Sequence, residues 1–144
     1  MGRLNVDISK ILATQGGKQA ILVIDDSAIA RKSLARNLEY YGFEIFEASG
    51  GIEGLQTFLA KRRQIALVIL DLVLPDVKGE VVLKKLQELD PQVKVVVFTE
   101  SASTEFKQTG QKVAGVLRKP ISMDRLLKVL HLALGLGPGT AGDG

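Results

Sequence analysis

Three separated fragments of the chain end in residues able to bind a metal and handle a phosphoryl group. They are Asp25-Asp26 after Ile21-Leu22-Val23-Ile24, Asp71 after the apolar run 65–70, and Lys119-Pro120 after the run 113–117. A further run, 93–98, leads to Thr99. In an open parallel sheet, ligands bind beyond the carboxyl ends of the strands, so polar residues just past buried runs share one crevice. A single Asp in such a place reads first as a helix cap or turn residue. Four strand ends in agreement point to chemistry instead. Three converging carboxylates repel one another unless a cation or a lysine sits among them. Mg2+ suits that need, because it takes one or two carboxylates, several waters and phosphate oxygens.

The elements that must position these residues follow from the pattern of the chain. Runs rich in valine and isoleucine alternate with segments of helical periodicity, the signature of repeated strand-helix units around a parallel sheet. Strands are expected near 20–25, 43–48, 65–70, 93–98 and 113–117, and helices near 27–40, 51–62, 78–89, 102–109 and 122–134. Ser27 and Ser122 are placed to cap the first and last helices, Gly42 to end the first, and Asp90-Pro91 to make a turn. The run Phe43 to Ala48 alternates apolar with polar residues and so reads as a half-exposed edge strand. The other runs read as buried on both faces. Residues 1–19 stand outside the scheme, with Leu4, Ile8, Ile11 and Leu12 on one face of a short extra helix and Gly16-Gly17 as a breaker. The glycine-rich stretch 135–144 reads as a flexible tail.

Composition bounds the rest. The 144 residues suffice for one domain with a substantial core, and 46% hydrophobic with 24% charged residues is ordinary globular composition. No apolar stretch approaches a bilayer span and no signal-peptide region opens the chain, so a cytoplasmic protein with no membrane contact is expected. There is no cysteine, which excludes disulfides and thiolate metal sites. The net charge of +3 is scattered in small clusters, Arg31-Lys32, Lys61-Arg62-Arg63 and Lys84-Lys85, each read as a solvated helix face. A nucleic-acid reader would need a concentrated basic stripe and a reading element, so direct nucleic-acid binding is not expected. His131, the one histidine, falls mid-helix and reads as a surface or boundary residue.

Asp25-Asp26, Asp71, Thr99 and Lys119-Pro120, in that order, resemble the receiver domain of two-component response regulators over residues 20–134. The loop Leu72-Val73-Leu74-Pro75-Asp76-Val77-Lys78-Gly79 is also similar to that family's proline-and-glycine loop after the phosphoacceptor. The resemblance implies an α/β fold, a doubly wound, flavodoxin-like five-stranded parallel sheet of order 2-1-3-4-5 flanked by five helices. It implies that Asp71 is the phosphoacceptor and that Asp26, Asp71 and the Val73 backbone carbonyl ligate Mg2+ (or Mn2+), with Asp25 acting mainly through water. Lys119 would neutralise the phosphoryl group, a cis bond before Pro120 would aim it, and the Thr99 hydroxyl would couple phosphate to a conformational switch. The implied donor is a sensor histidine kinase or a phosphotransfer protein, and the implied output is protein contact by a monomer or weak homodimer.

Three departures stand out. Val116 occupies the place where receivers usually carry Tyr or Phe as a rotamer switch. The segment from Thr99 to Lys119 is about two residues shorter than expected, with a weak helix at 102–109. Val73, and Glu100 after Thr99, fall where residues tune dephosphorylation; apolar Val73 cannot orient water as a carboxamide could, so a long-lived phosphorylated state is expected. The competing readings are a receiver-like module that binds partners without phosphate, a phosphohydrolase, and a DNA-binding regulator. The phosphohydrolase lacks a second Asp two residues after Asp71, and the DNA-binding regulator lacks a reading domain.

Overall fold

The computed structural model describes residues 20–100 and 112–134. Five strands, β1 (Ala20–Ile24), β2 (Glu44–Ala48), β3 (Ile65–Asp71), β4 (Val95–Thr99) and β5 (Gly115–Arg118), form one sheet of order β2-β1-β3-β4-β5. Every pairing is parallel. Four helices are described: α1 (Ala28–Tyr40), α2 (Gly51–Lys61), α3 (Gly79–Leu89) and α4 (Met123–Ala133). The expected helices at 4–12 and 102–109 and the tail at 135–144 lie outside the described residues.

Alternation of side chains along the strands divides the interior in two. Ile21, Val23, Leu67, Ile69, Val96 and Phe98 pack with Leu34 and Leu38 of α1 and Leu126 and Leu130 of α4. Leu22, Ile24, Val68, Leu70, Val95 and Val97 pack with Phe58 of α2 and Val82, Leu83 and Leu86 of α3. Each such aliphatic side chain contributes on the order of 1.5–3 kcal/mol when buried. A slip of one residue would send a strand's whole set to the opposite face, so the two cores fix the register. In that register Ile24 lies beside Ala48 and Leu70, Asp71 beside Phe98, and Thr99 beside Arg118. The strands therefore end together, and the polar residues that follow them emerge at one edge.

The punctuation acts as its residue types dictate. The Ser27 and Ser122 hydroxyls accept the N–H groups of Ala30 and Arg125 at 3.2 Å. Gly42 takes the left-handed backbone, φ 99°, that closes α1 behind Tyr41. The Asp90 carboxylate accepts the Gln92 N–H in the turn before β4.

Two expectations are corrected. Strand β5 is not buried on both faces: only Leu117 is buried in it, and Val116 is 43% exposed. An open five-stranded sheet has two edges, and β5 is the second. His131 is not a boundary residue but is buried at 7% exposure on α4, and among the described residues neither ring nitrogen has a hydrogen-bond partner. Its neighbours Leu130 and Leu132 did not reveal this, because the helix wraps its apolar face far enough to take in position 131.

Burial of His131 disfavours the imidazolium and lowers its pKa. A base whose folded pKa is depressed lends stability above its unfolded pKa, and that stability is lost as pH falls below it. Thermal melts of wild type and His131→Leu between about pH 8 and pH 5.5 test this. The melting temperature of the wild type should drop more steeply than that of the variant, whereas parallel curves would show that the imidazole protonates freely in the fold.

Candidate functional site

The crevice at the carboxyl edge is organised by one ammonium group. Lys119, the residue after β5, places Nζ 2.9 Å from Asp71 Oδ2 and 3.3 Å from Asp25 Oδ2. The same Nζ stands 4.7 Å from the centre of the Phe98 ring, which forms the apolar wall beneath it. The Lys119-Pro120 bond is cis.

The two carboxylates are fixed from both ends. Asp71 closes β3, and its Oδ1 accepts the Val73 N–H at 2.9 Å. Asp25 follows β1, and its Oδ1 accepts the Ser27 N–H at 2.9 Å. Both side chains are buried, whereas Asp26 beside them is exposed. Oxygens of Asp25, Asp26 and Asp71 lie within 4.8 Å of one another. At that separation two carboxylates repel by roughly 3 kcal/mol in an effective dielectric of about 20, and each Lys119 contact is closer and attractive. One ammonium can thus hold the buried pair together. Three carboxylates against one ammonium leave two negative charges, which a divalent cation would balance. All the donors are hard oxygens, the type that Mg2+ and Mn2+ prefer.

The pKa shifts report the same contest. Burial pushes the Asp25 carboxyl above its ordinary value; the Ser27 N–H and the Lys119 charge oppose that, and the Asp71 charge adds to it. Burial works against the Lys119 ammonium, but the hydrogen bond and charge of Asp71, then those of Asp25, outweigh it and hold the group above the ordinary lysine value.

The other candidate residues fall around this centre. Val73 sits in the loop after β3 at 69% exposure. A Cβ on Gly79 would lie 2.4 Å from the Leu72 Cα, so glycine alone lets the two ends of that loop meet, and the Gly79 N–H donates to the Leu72 carbonyl at 3.0 Å. The Thr99 backbone ends β4. Glu100 is exposed, and its carbonyl accepts a long bond from Arg118 Nε. Val116 lies opposite Val97 on the exposed edge strand. Beside Lys119 a groove of about 550 Å³ opens between α1 and residues 120–123, floored by Leu34, Phe98 and Pro120.

Two residues with a structural hold on the site carried no signal in the sequence reading. Arg31, taken there for a solvated charge, is 12% exposed; its guanidinium donates to the Asp25 backbone carbonyl at 2.7 Å and to Glu47 Oε1 at 2.9 Å. Asp76 caps a helix in another part of the chain. Its carboxylate accepts the N–H groups of Gly51 at 2.8 Å and Ile52 at 2.9 Å, and these bonds hold its pKa below the ordinary value.

The model of the family described as "Response regulator receiver domain" matches residues 21–131, which include all of the residues above. The chain belongs to the response regulator receiver family. Among curated relatives, this receiver is 32% identical over 119 residues to the uncharacterized transcriptional regulatory protein YkoG of Bacillus subtilis, covering 81% of this chain and 51% of YkoG. It thus spans about half the length of that relative. Among solved structures it is similar to a response regulator receiver domain protein from Clostridium thermocellum, with a TM-score of 0.75, 27% identity, and coverage of 80% of this chain and 93% of that one. It is also similar to the response regulator TrrA of Thermotoga maritima, solved in complex with Mg2+ and BeF, with a TM-score of 0.72, 28% identity, and coverage of 79% and 98%. The sheet order and the helices flanking it are those the resemblance implied; the fifth expected helix falls outside the described residues. Among those residues, no helix is long and apolar enough to cross a membrane.

Asp25 tests the electrostatics directly. A carboxyl whose folded pKa is raised costs stability once ionised, and the cost fades as pH falls through its folded value. Asp25→Asn removes that cost and leaves Lys119 its nearer partner, Asp71. In chelator at neutral pH the variant should be the more stable of the two, with a higher melting temperature. The gain should vanish in acid. A variant less stable than wild type would show that Lys119 needs both carboxylates.

Proposed function

We propose that this receiver is a phosphorylation-driven switch in which the Asp71 carboxylate accepts a phosphoryl group from the phosphohistidine of a sensor histidine kinase or phosphotransfer protein. The observation that carries the reading is the Lys119 ammonium shared between the buried Asp25 and Asp71 carboxylates, with Asp26 at hand. A carboxylate cluster that served only to bind a protein would have no physical reason to bear its own repulsion. That same point disfavours a phosphate-independent module.

In the transfer, an Asp71 oxygen forms a bond to phosphorus as the bond from phosphorus to the histidine nitrogen breaks, and the electron pair leaves with the imidazole. Water later attacks phosphorus, releasing inorganic phosphate and restoring the carboxylate. The charge that develops lies on the phosphoryl oxygens, so catalysis here is positioning and neutralisation. Lys119, already on Asp71 Oδ2, is in reach of an oxygen added there. Asp25, Asp26, Asp71 and the backbone carbonyl of Val73 would hold Mg2+ (or Mn2+), which when bound supplies positive charge to the phosphoryl oxygens and offsets the carboxylates. The Val73 N–H holds Asp71 Oδ1 and orients the carboxylate. Thr99 would donate its hydroxyl to the phosphoryl group and so draw in the end of β4, changing the surface offered to a protein target. Exposed Val73 cannot order a water for the hydrolytic attack on phosphorus, which favours a persistent signal.

In this reading the receiver unit spans residues 20–134, is cytoplasmic, acts as a monomer or weak homodimer, and catalyses only its own phosphotransfer and dephosphorylation. Output passes through protein contacts and not through DNA. The exposed Val116 replaces the aromatic switch residue, so the signal is carried without a buried ring on β5.

Intact mass after incubation with acetyl phosphate and Mg2+ tests the proposal. One phosphoryl adduct is expected on wild type, none in chelator and none on Asp71→Asn. An adduct that survives Asp71→Asn would move the acceptor elsewhere, and no adduct on folded wild type would contradict the reading.

A further inference from the structure

The loop between β3 and α3 is anchored by a group that the phosphoryl chemistry does not itself require. Helix α2 begins at Gly51 behind Gly50, whose position as N-cap offers no side chain to its first N–H groups. Such groups have no partner within the helix and need an outside acceptor. Asp76 supplies it from 25 residues away in sequence, with Oδ1 on Gly51 and Oδ2 on Ile52. The charge also suits the positive end of the helix dipole. Local sequence makes the room: a Cβ on Gly50 would stand 3.1 Å from both Asp76 oxygens.

Three features of the loop turn this cap into a constraint on the site. Its base is closed by the Gly79 to Leu72 hydrogen bond. Its apolar members Leu74 and Val77 pack against the core between the sheet and helices α2 and α3. Between these anchors lies Val73, exposed, with its N–H on Asp71 Oδ1. The Asp76 clamp is the polar tie between this loop and α2, and it fixes how far the loop can move from the sheet edge.

We propose that Asp76 is a positioning residue: by clamping the Gly51 and Ile52 N–H groups it holds loop 72–78 so that Val73 and Asp71 present their oxygens to one metal ion. The inference rests on the metal-dependent acceptor reading above. Without the clamp the loop stays closed by Gly79 and its apolar contacts, so the protein folds. What loosens is the distance between the Val73 carbonyl and Asp71, and an outer contact of this kind is typically worth about tenfold or more in metal affinity.

The test follows Mg2+ binding by amide NMR, and the initial rate of adduct formation with acetyl phosphate, across one Mg2+ series for wild type, Asp76→Ala, Asp76→Asn and Phe58→Leu. Phe58 lies on the buried face of α2 away from the cap and serves as a control for lost stability. Asp76→Ala should raise the half-saturating Mg2+ concentration about tenfold while leaving the rate at saturation within about twofold of wild type. Asp76→Asn keeps one oxygen able to accept an N–H and should fall between. Phe58→Leu should melt earlier yet keep the wild-type Mg2+ dependence. An unchanged half-saturation in Asp76→Ala, or an equal shift in Phe58→Leu, would overturn the role given to Asp76 while leaving the acceptor reading intact. Wild type that forms no adduct at any Mg2+ concentration would overturn both.

Discussion

A single ammonium is held against two buried carboxylates at the carboxyl edge of the sheet. Asp25 and Asp71 are buried, bear like charge and lie within 4.8 Å of each other and of Asp26, an arrangement that costs stability in isolation. Lys119 offsets part of that cost through contacts at 2.9 and 3.3 Å. The remaining charge is of the sign and size that a hard divalent cation would balance. Three carboxylates and one ammonium thus leave a net negative charge at this edge of the sheet.

The scaffold is built to hold this arrangement. Parallel pairing with β1 and β3 in the middle of the sheet brings Asp25 and Asp71 to one edge, and β5 delivers Lys119 to the same edge. Two apolar cores, one on each face, prevent the strands from sliding. Polar ties then set the loops. Arg31 joins the Asp25 carbonyl to Glu47 at the end of β2, and Asp76 joins the loop beyond Asp71 to the start of α2. Side chains outside the carboxylate cluster in this way tie down the backbone that carries it.

Much of this was legible in the chain, for a physical reason. Buried parallel strands must be nearly continuous apolar runs, so a charge that ends one marks the crevice, and Asp25, Asp71 and Lys119 could be placed before any coordinates. Helix caps at Ser27 and Ser122 and the left-handed Gly42 were readable because they are local. What escaped depends on contacts distant in sequence. Arg31 sits 16 residues from Glu47, and nothing in Arg31-Lys32 distinguishes the half-buried guanidinium from its exposed neighbour. Asp76 stood out only as a member of the loop 72–79, since its partners lie 24 and 25 residues earlier. Strand β5 resembled the central strands because Val113 to Leu117 is apolar throughout; its exposure follows from its place at the sheet edge, which composition does not encode.

A Mg2+ titration of the uniformly labelled protein followed by amide NMR tests whether the Lys119-bridged carboxylates hold a cation. Saturable shifts concentrated at Asp25, Asp26, Ser27, Asp71 and Val73 are expected, lost in Asp71→Asn. Shifts that never saturate, or that scatter over surface carboxylates such as Glu44 and Glu88 and persist in the variant, would contradict a cation site at the Lys119-bridged pair.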